Sequence, residues 1–147
     1  MDHVTHPDPG DRLYFRQLLA GRDFATGDQL ARQMVNFVYL IGDRETGDAV
    51  VVDPAYDVDG ILDVLADDDM RCTGALATHY HPDHVGGSMM GLDIAGAAEL
   101  LERTSVPVHA QHDEAGFIAE VTGLGDGDIV GHDSGDVVTV GAIDIEL

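Results

Sequence analysis

A layered α/β domain is what this sequence predicts, and three observations predict it. Apolar runs rich in β-branched residues alternate along the chain with segments whose apolar residues recur at helical spacing, the pattern of a sheet packed with helices. The run Ala75-Leu76-Ala77 reads as the end of a buried strand, and it leads directly into a dense cluster of histidines. The length, 147 residues, fits one domain that buries about two-thirds of its unfolded surface, and neither an internal repeat nor a domain boundary interrupts it.

The elements follow in order. Residues 1–11, rich in Asp, His, Pro and Gly, read as a mobile leader in which His3 and His6 are solvated. Residues 13–19 alternate imperfectly, as an edge strand or a short helix, and residues 22–30 read as irregular. Residues 34–41, β-branched and aromatic, predict a strand; a polar turn over 42–48 returns the chain as a second strand over 49–52. Asp53-Pro54 ends that strand. Asp57 then caps a helix whose face is Val58, Ile61, Leu62 and Leu65, at spacings i, i+3, i+4 and i+7. Asp67, Asp68 and Asp69 close it against the sense of its dipole, which salt screening would ease. A strand over 73–78 delivers the histidines. Beyond Gly86-Gly87 the expectation is a helical turn at 88–90, then a helix capped by Asp93 with Ile94, Ala97, Ala98 and Leu101 inward. A strand over 106–110, a helix over 113–121 ended by Gly123, an Asp/Gly loop over 125–135 and a hairpin about Gly141 complete the pattern.

Charge narrows the partners. There are 28 acidic residues against 7 basic ones, all Arg, for a net charge of −21. Such self-repulsion destabilises a compact chain unless salt screens it, and molar salt shortens the screening length to about 3 Å. Acids spread among hydrophobic elements, with no Lys, point to a salt-adapted source. The same acidity argues against nucleic acid, because no stripe of Lys or Arg exists to neutralise phosphates. Cys72 is the single cysteine, so no internal disulfide forms, and a buried inert thiol is its expected role. No signal-peptide pattern opens the chain and no apolar run reaches membrane-spanning length, so a cytoplasmic protein without a membrane partner is expected.

The stretch Thr78-His79-Tyr80-His81-Pro82-Asp83-His84-Val85-Gly86-Gly87 carries the chemistry. Three of the eight histidines fall within six residues, with a carboxylate between the last two. In an extended segment residues i and i+2 share a face, so His79 and His81 are expected to point together at one ion. Pro82 ends the strand, and Asp83 and His84, adjacent on a turn, face a second ion. Imidazole nitrogen and carboxylate oxygen are ligands that Zn, Fe and Mn all accept.

This run resembles the His-x-His-x-Asp-His signature of the metallo-β-lactamase superfamily, with its preceding Thr and following Gly-Gly. Val50-Val51-Val52-Asp53-Pro54 resembles the strand and Asp-Pro element that precedes the signature in glyoxalase II-like members. The resemblance implies an αββα sandwich with a metal site at one edge and hydrolysis of a small-molecule thioester, ester or amide by metal-activated water. It implies that His79 and His81 hold a first zinc ion, Asp83 and His84 a second, and that Asp83 also orients or deprotonates the nucleophilic water. Asp53 is a candidate for fixing the tautomer of a ligand imidazole, beside the plain reading of a strand-end turn carboxylate. The family pattern further requires a third His, a bridging Asp and another His, the third His lying in a segment just after a hairpin such as that about Gly141. The sequence stops there. Residues 12–147 are therefore expected to form the N-terminal part of one such domain, truncated before its second half and prone to self-association. Neither His109, His112 nor His132 is assigned a metal role. Two further readings stand beside the hydrolase: a mononuclear-iron persulfide dioxygenase, which shares the signature, and an inactive truncated fragment.

Overall fold

The computed structural model describes residues 11–147; the leader expectation, with His3 and His6, lies outside the described residues save for Asp11. A mixed six-stranded sheet organises the chain. It comprises β1 (Leu13–Leu19), β2 (Phe37–Asp43), β3 (Asp48–Val52), β4 (Arg71–Leu76), β7 (Val108–Gln111) and β8 (Ile129–His132), in that spatial order. β1, β2 and β3 pair antiparallel, and β3, β4, β7 and β8 run parallel. The helices are α1 (Gln29–Met34), α2 (Val58–Asp67), the single turn α3 (Pro82–Val85), α4 (Ala97–Arg103) and α5 (His112–Thr122). Two hairpins complete the fold, β5–β6 (Gly87–Met89 and Leu92–Ile94) and β9–β10 (Val137–Val140 and Ile143–Glu146).

Strand alternation divides the core between two faces. Ala75, Val108 and Ala110 of β4 and β7 pack with Val58, Ala97, Leu100 and Ile118 of α2, α4 and α5. Their neighbours Val50 and Leu76 point the other way and pack against Val138 and Val140 of the β9–β10 hairpin. A sheet covered on both sides needs apolar residues at consecutive positions, which is why these strands read as unbroken runs.

A buried carboxylate joins distant parts of this framework. Asp43, at the end of β2, accepts from Arg12 Nε at 3.0 Å and Nη2 at 2.9 Å, from Glu45 N at 2.9 Å and from Ala142 N at 2.8 Å. It thereby ties the entry of β1 and the β2–β3 turn to the β9–β10 turn. The paired Arg12 guanidinium, helped by the two backbone N–H groups, holds the carboxyl well below the usual carboxylate range. A depressed carboxyl contributes stability that is fully present above its unfolded value of 3.8 and is lost as pH falls towards the folded value. Asp43→Asn is expected to lower Tm at neutral pH, with the gap to wild type narrowing below about pH 4. A gap that stays constant across an acid Tm series would sink this assignment.

Several elements depart from the sequence expectations. Residues 13–19 resolve as the edge strand. Residues 29–34 form α1, where Asp28 Oδ1 accepts from Ala31 N, and the strand expected from 34 begins at Phe37 because Val35 takes a left-handed conformation at the helix end. Positions 88–90 are not a helical turn. Met90 and Gly91 both have positive φ, +51° and +76°, the geometry of a tight hairpin turn, so the chain folds back as β5–β6. Asp93 and Ile94 belong to β6, and α4 instead starts after Gly96, whose N–H donates to Glu99 Oε2 at 3.0 Å. The Asp/Gly segment contains β8, because Ile129 and Val130 find ladder partners in Val108 and His109. The acidic end of α2 is compensated directly: Asp68 accepts from Tyr14 Oη at 2.6 Å and Arg16 Nη1 at 3.0 Å.

Candidate metal centre

The histidine run lies beyond the ends of the parallel strands, where side chains leave the sheet without strand partners. A main-chain turn and a side-chain hydrogen bond, both at Asp53, shape this end of the sheet. Asp53 takes φ +55°, a left-handed conformation that Asp tolerates better than most residues, and turns the chain away after β3. Its side chain then substitutes for the missing strand: Asp53 Oδ1 accepts from Thr78 N at 2.7 Å. β4 consequently ends at Leu76, and His79 and His81 sit in the following loop, not on the extended strand that was expected to align them.

The same carboxylate sets the direction of two imidazoles. Thr78 Oγ1 donates its one proton to Asp53 Oδ2 at 2.7 Å, so its 2.7 Å contact with His79 Nδ1 has the imidazole N–H donating. His79 Nε2 is left as the lone-pair nitrogen. Burial pushes the His79 imidazolium to a lower pKa, with the neighbouring His84 next in effect, and this favours the neutral, ligating form. His84 Nδ1 lies 3.3 Å from Asp53 Oδ2, and its Nε2 lies 3.5 Å from Asp83 Oδ2. The hydrogen bond to Asp53 raises the pKa of His84, so a cation between its Nε2 and Asp83 competes with a proton there.

Ligand atoms of Asp53, His79 and His84 lie within 4.8 Å of one another, among the described residues the one group of three or more able to surround an ion. His81 is outside that trio and exposed, but its ring stands edge-on to His79 with centroids 4.7 Å apart. The His79 and His84 centroids are 4.2 Å apart. Both oxygens of Asp53 are already engaged by Thr78 and His84, so it orients the imidazoles more readily than it ligates. Asp83 is nearly buried. Asn36 Nδ2 donates to Asp83 Oδ2 at 2.7 Å and to its backbone O at 3.0 Å, which fixes the carboxylate and leaves Oδ1 unclaimed by that amide. The donor set therefore fits a borderline or hard divalent ion: the imidazole nitrogens of His79 and His84 and the Asp83 carboxylate, each braced by a neighbour.

Three supporting residues escaped the sequence reading. Asn36 is a lone amide in an otherwise apolar segment, which is the signal that could have marked it. Tyr56 Oη lies 3.4 Å from the Asn36 amide nitrogen. Glu114, on α5, accepts from Tyr80 N at 3.0 Å and so grips the loop between His79 and His81. Nothing local in the sequence announces that contact across 34 positions.

Among the described residues the other histidines have partners of their own. His109 Nδ1 lies 2.9 Å from His132 Nε2, and burial, then His132, lowers the His109 pKa. His132 falls in the expected Asp/Gly loop over 125–135; β8 instead brings it beside β7 and largely covers its side chain. His112 pairs with Asp133 at 2.9 Å. Cys72 is partly buried, donates to Gly74 O at 3.4 Å, and has its thiol pKa raised by burial. Among the described residues no helix is long and apolar enough to cross a membrane.

Comparison with known proteins agrees with this geometry. Residues 31–143 match the family model described as the metallo-beta-lactamase superfamily. A hydroxyacylglutathione hydrolase of Rhodopseudomonas palustris is 40% identical over 96 residues, 65% of this chain and 34% of that protein. A protein of Bacillus velezensis named "Probable polyketide biosynthesis zinc-dependent hydrolase BaeB" is 42% identical over 50 residues, 34% of this chain and 22% of its own length. Among solved structures, ETHE1 from Myxococcus xanthus superposes with a TM-score of 0.61 at 27% identity, covering 90% of this chain and 46% of that one. The chain thus spans about a third of the length of the hydroxyacylglutathione hydrolases it matches.

Proposed function

From the chain's membership of the metallo-beta-lactamase superfamily, we propose that it is the part of a metal-dependent hydrolase that holds the metal ligands, acting on a thioester or a related ester or amide. The observation that carries this is the convergence of His79 and His84 on one point under the control of Asp53, with His81 and Asp83 adjoining. The hydrolase names of relatives in two different settings support it.

In this reading His79 and His81 hold one ion, and Asp83 and His84 hold a second. When bound, a divalent ion supplies Lewis acidity, which acidifies water and polarises a carbonyl. The protein's own groups do the rest. Asp83, fixed by Asn36, orients the attacking water and accepts its proton. Thr78 and Asp53 hold the N–H of His79 and His84 on Nδ1, so that Nε2 is the nitrogen each presents to an ion. Water adds across the acyl–sulfur bond, giving a carboxylic acid and a thiol. Zinc suits this donor set, as does iron, and iron with consumption of O2 would mark the dioxygenase reading instead. Residues 12–147 form, on this proposal, the N-terminal part of a single domain in a cytoplasmic protein.

Metal stoichiometry tests it directly. Purified in molar KCl to screen the net charge of −21, the chain is expected to carry one or two equivalents of zinc or iron, and the His79→Ala/His81→Ala variant none. Thiol release from a simple thioester then separates hydrolase from dioxygenase. A chain that binds no metal in either form would instead be an inactive fragment.

A further inference from the structure

We propose that Tyr80 and Phe117 form an apolar rim on the metal centre that receives the uncharged acyl portion of the substrate. The inference rests on the hydrolase reading above and adds a substrate class to it. Tyr80 stands between His79 and His81 in sequence, and its ring meets His81 edge-on at 5.1 Å between centroids. On its other side the Phe117 ring lies 5.2 Å away, tilted by 34°. Phe117, Tyr80, His81, His79 and His84 are thereby one continuous series of rings, running from α5 to the metal cluster.

The fold does not need these two rings for its core. α5 buries Ile118, while Phe117 is 53% exposed and Tyr80 38% exposed. Two large apolar side chains exposed together beside a reactive centre mark a contact surface, whereas scattered single ones do not. The rim is also held in place. Glu114, one turn before Phe117 on α5, accepts the Tyr80 N–H, so little conformational freedom remains to be lost on binding. Charge selects the occupant. Asp113, Glu114 and Glu120 share the helix with Phe117, and the whole chain is strongly acidic, so an anionic group is disfavoured there. An aliphatic or aryl acyl group, continuous with the carbonyl at the metal, satisfies both the apolar rings and the field.

The test compares acetyl and octanoyl thioesters of N-acetylcysteamine, both uncharged, by thiol release and by the proton signals of the Tyr80 and Phe117 rings. The octanoyl ester is expected to have a kcat/KM about tenfold higher, the size that one or two sheltered methylenes produce. Phe117→Ser should bring that ratio near one at unchanged metal content, and Phe117→Leu should keep it. Ring signals that shift with the octanoyl ester but no thiol release would sink the hydrolase reading and leave the rim standing. Thiol release with no chain-length preference and no ring shift would overturn the rim alone. A Phe117→Ser variant that only converts a dimer to a monomer would show the rings to be a contact between copies, and the rim falls.

Discussion

His79→Ala is expected to abolish tight metal binding, and Asp53→Asn to weaken it by roughly 10–100-fold, the loss typical when a ligand's hydrogen-bonding partner is removed. The two differ because they act at different distances from the ion. On the proposed reading His79 contributes the Nε2 lone pair itself. Asp53 contributes direction: it accepts from Thr78 N, Thr78 Oγ1 and His84 Nδ1. An amide at position 53 puts an NH2 against either the Thr78 N–H at Oδ1 or Thr78 Oγ1 and His84 Nδ1 at Oδ2; Thr78 loses an acceptor in both cases, and in the second the His84 tautomer is released as well. Competition titration with a chromophoric chelator measures both affinities. If Asp53→Asn abolishes binding as completely as His79→Ala, Asp53 is a ligand and the orienting role is wrong.

Gly96→Ala is expected to damage both stability and metal affinity, while Gly116→Ala stabilises. A Cβ on Gly96 would collide with the backbone carbonyl of Val85 and lie 2.5 Å from Gly86 N. Those atoms end α3, the single turn that carries Asp83 and His84. The neighbour is backbone and cannot rotate aside, so α3 must move. Overpacking of this kind costs roughly 1–3 kcal/mol, or about 2–12 °C in Tm for a chain of this size. Gly116 is an exposed position within α5 with nothing near its missing Cβ. Alanine there gains roughly 0.5–1 kcal/mol from helix propensity. Thermal melts of the two variants with and without added zinc test the pair. A Gly96→Ala protein with wild-type Tm and wild-type zinc affinity would show that α3 is free to shift without consequence.

The α2 face and the closing hairpin were legible in the sequence because each depends on local signals. Val58, Ile61 and Leu65 bury one stripe of α2 at helical spacing, and Gly141 turns β9 into β10 with positive φ. The errors fell where local signals were weak or contradictory. Ser88 to Met90 looked helical by composition, yet two consecutive positive φ values at Met90 and Gly91 made a hairpin. Ile129 and Val130 sat among Asp and Gly and became a strand only because β7 offered an edge to pair with.

By itself the sequence determined which metal-binding side-chain types are present and where in the chain they cluster. Three imidazoles and a carboxylate within six residues, after an apolar strand, are a local property that no tertiary contact is needed to read. The acidity, and with it the demand for screening, is likewise a matter of composition. Only the tertiary structure decided how these side chains are aimed. Asp53 reaches Thr78 and His84 across 25 and 31 positions, Asn36 reaches Asp83 across 47, and Glu114 reaches Tyr80 across 34. The physical reason is that a ligand's identity is covalent, whereas its tautomer and direction come from hydrogen-bond partners supplied by other strands and helices.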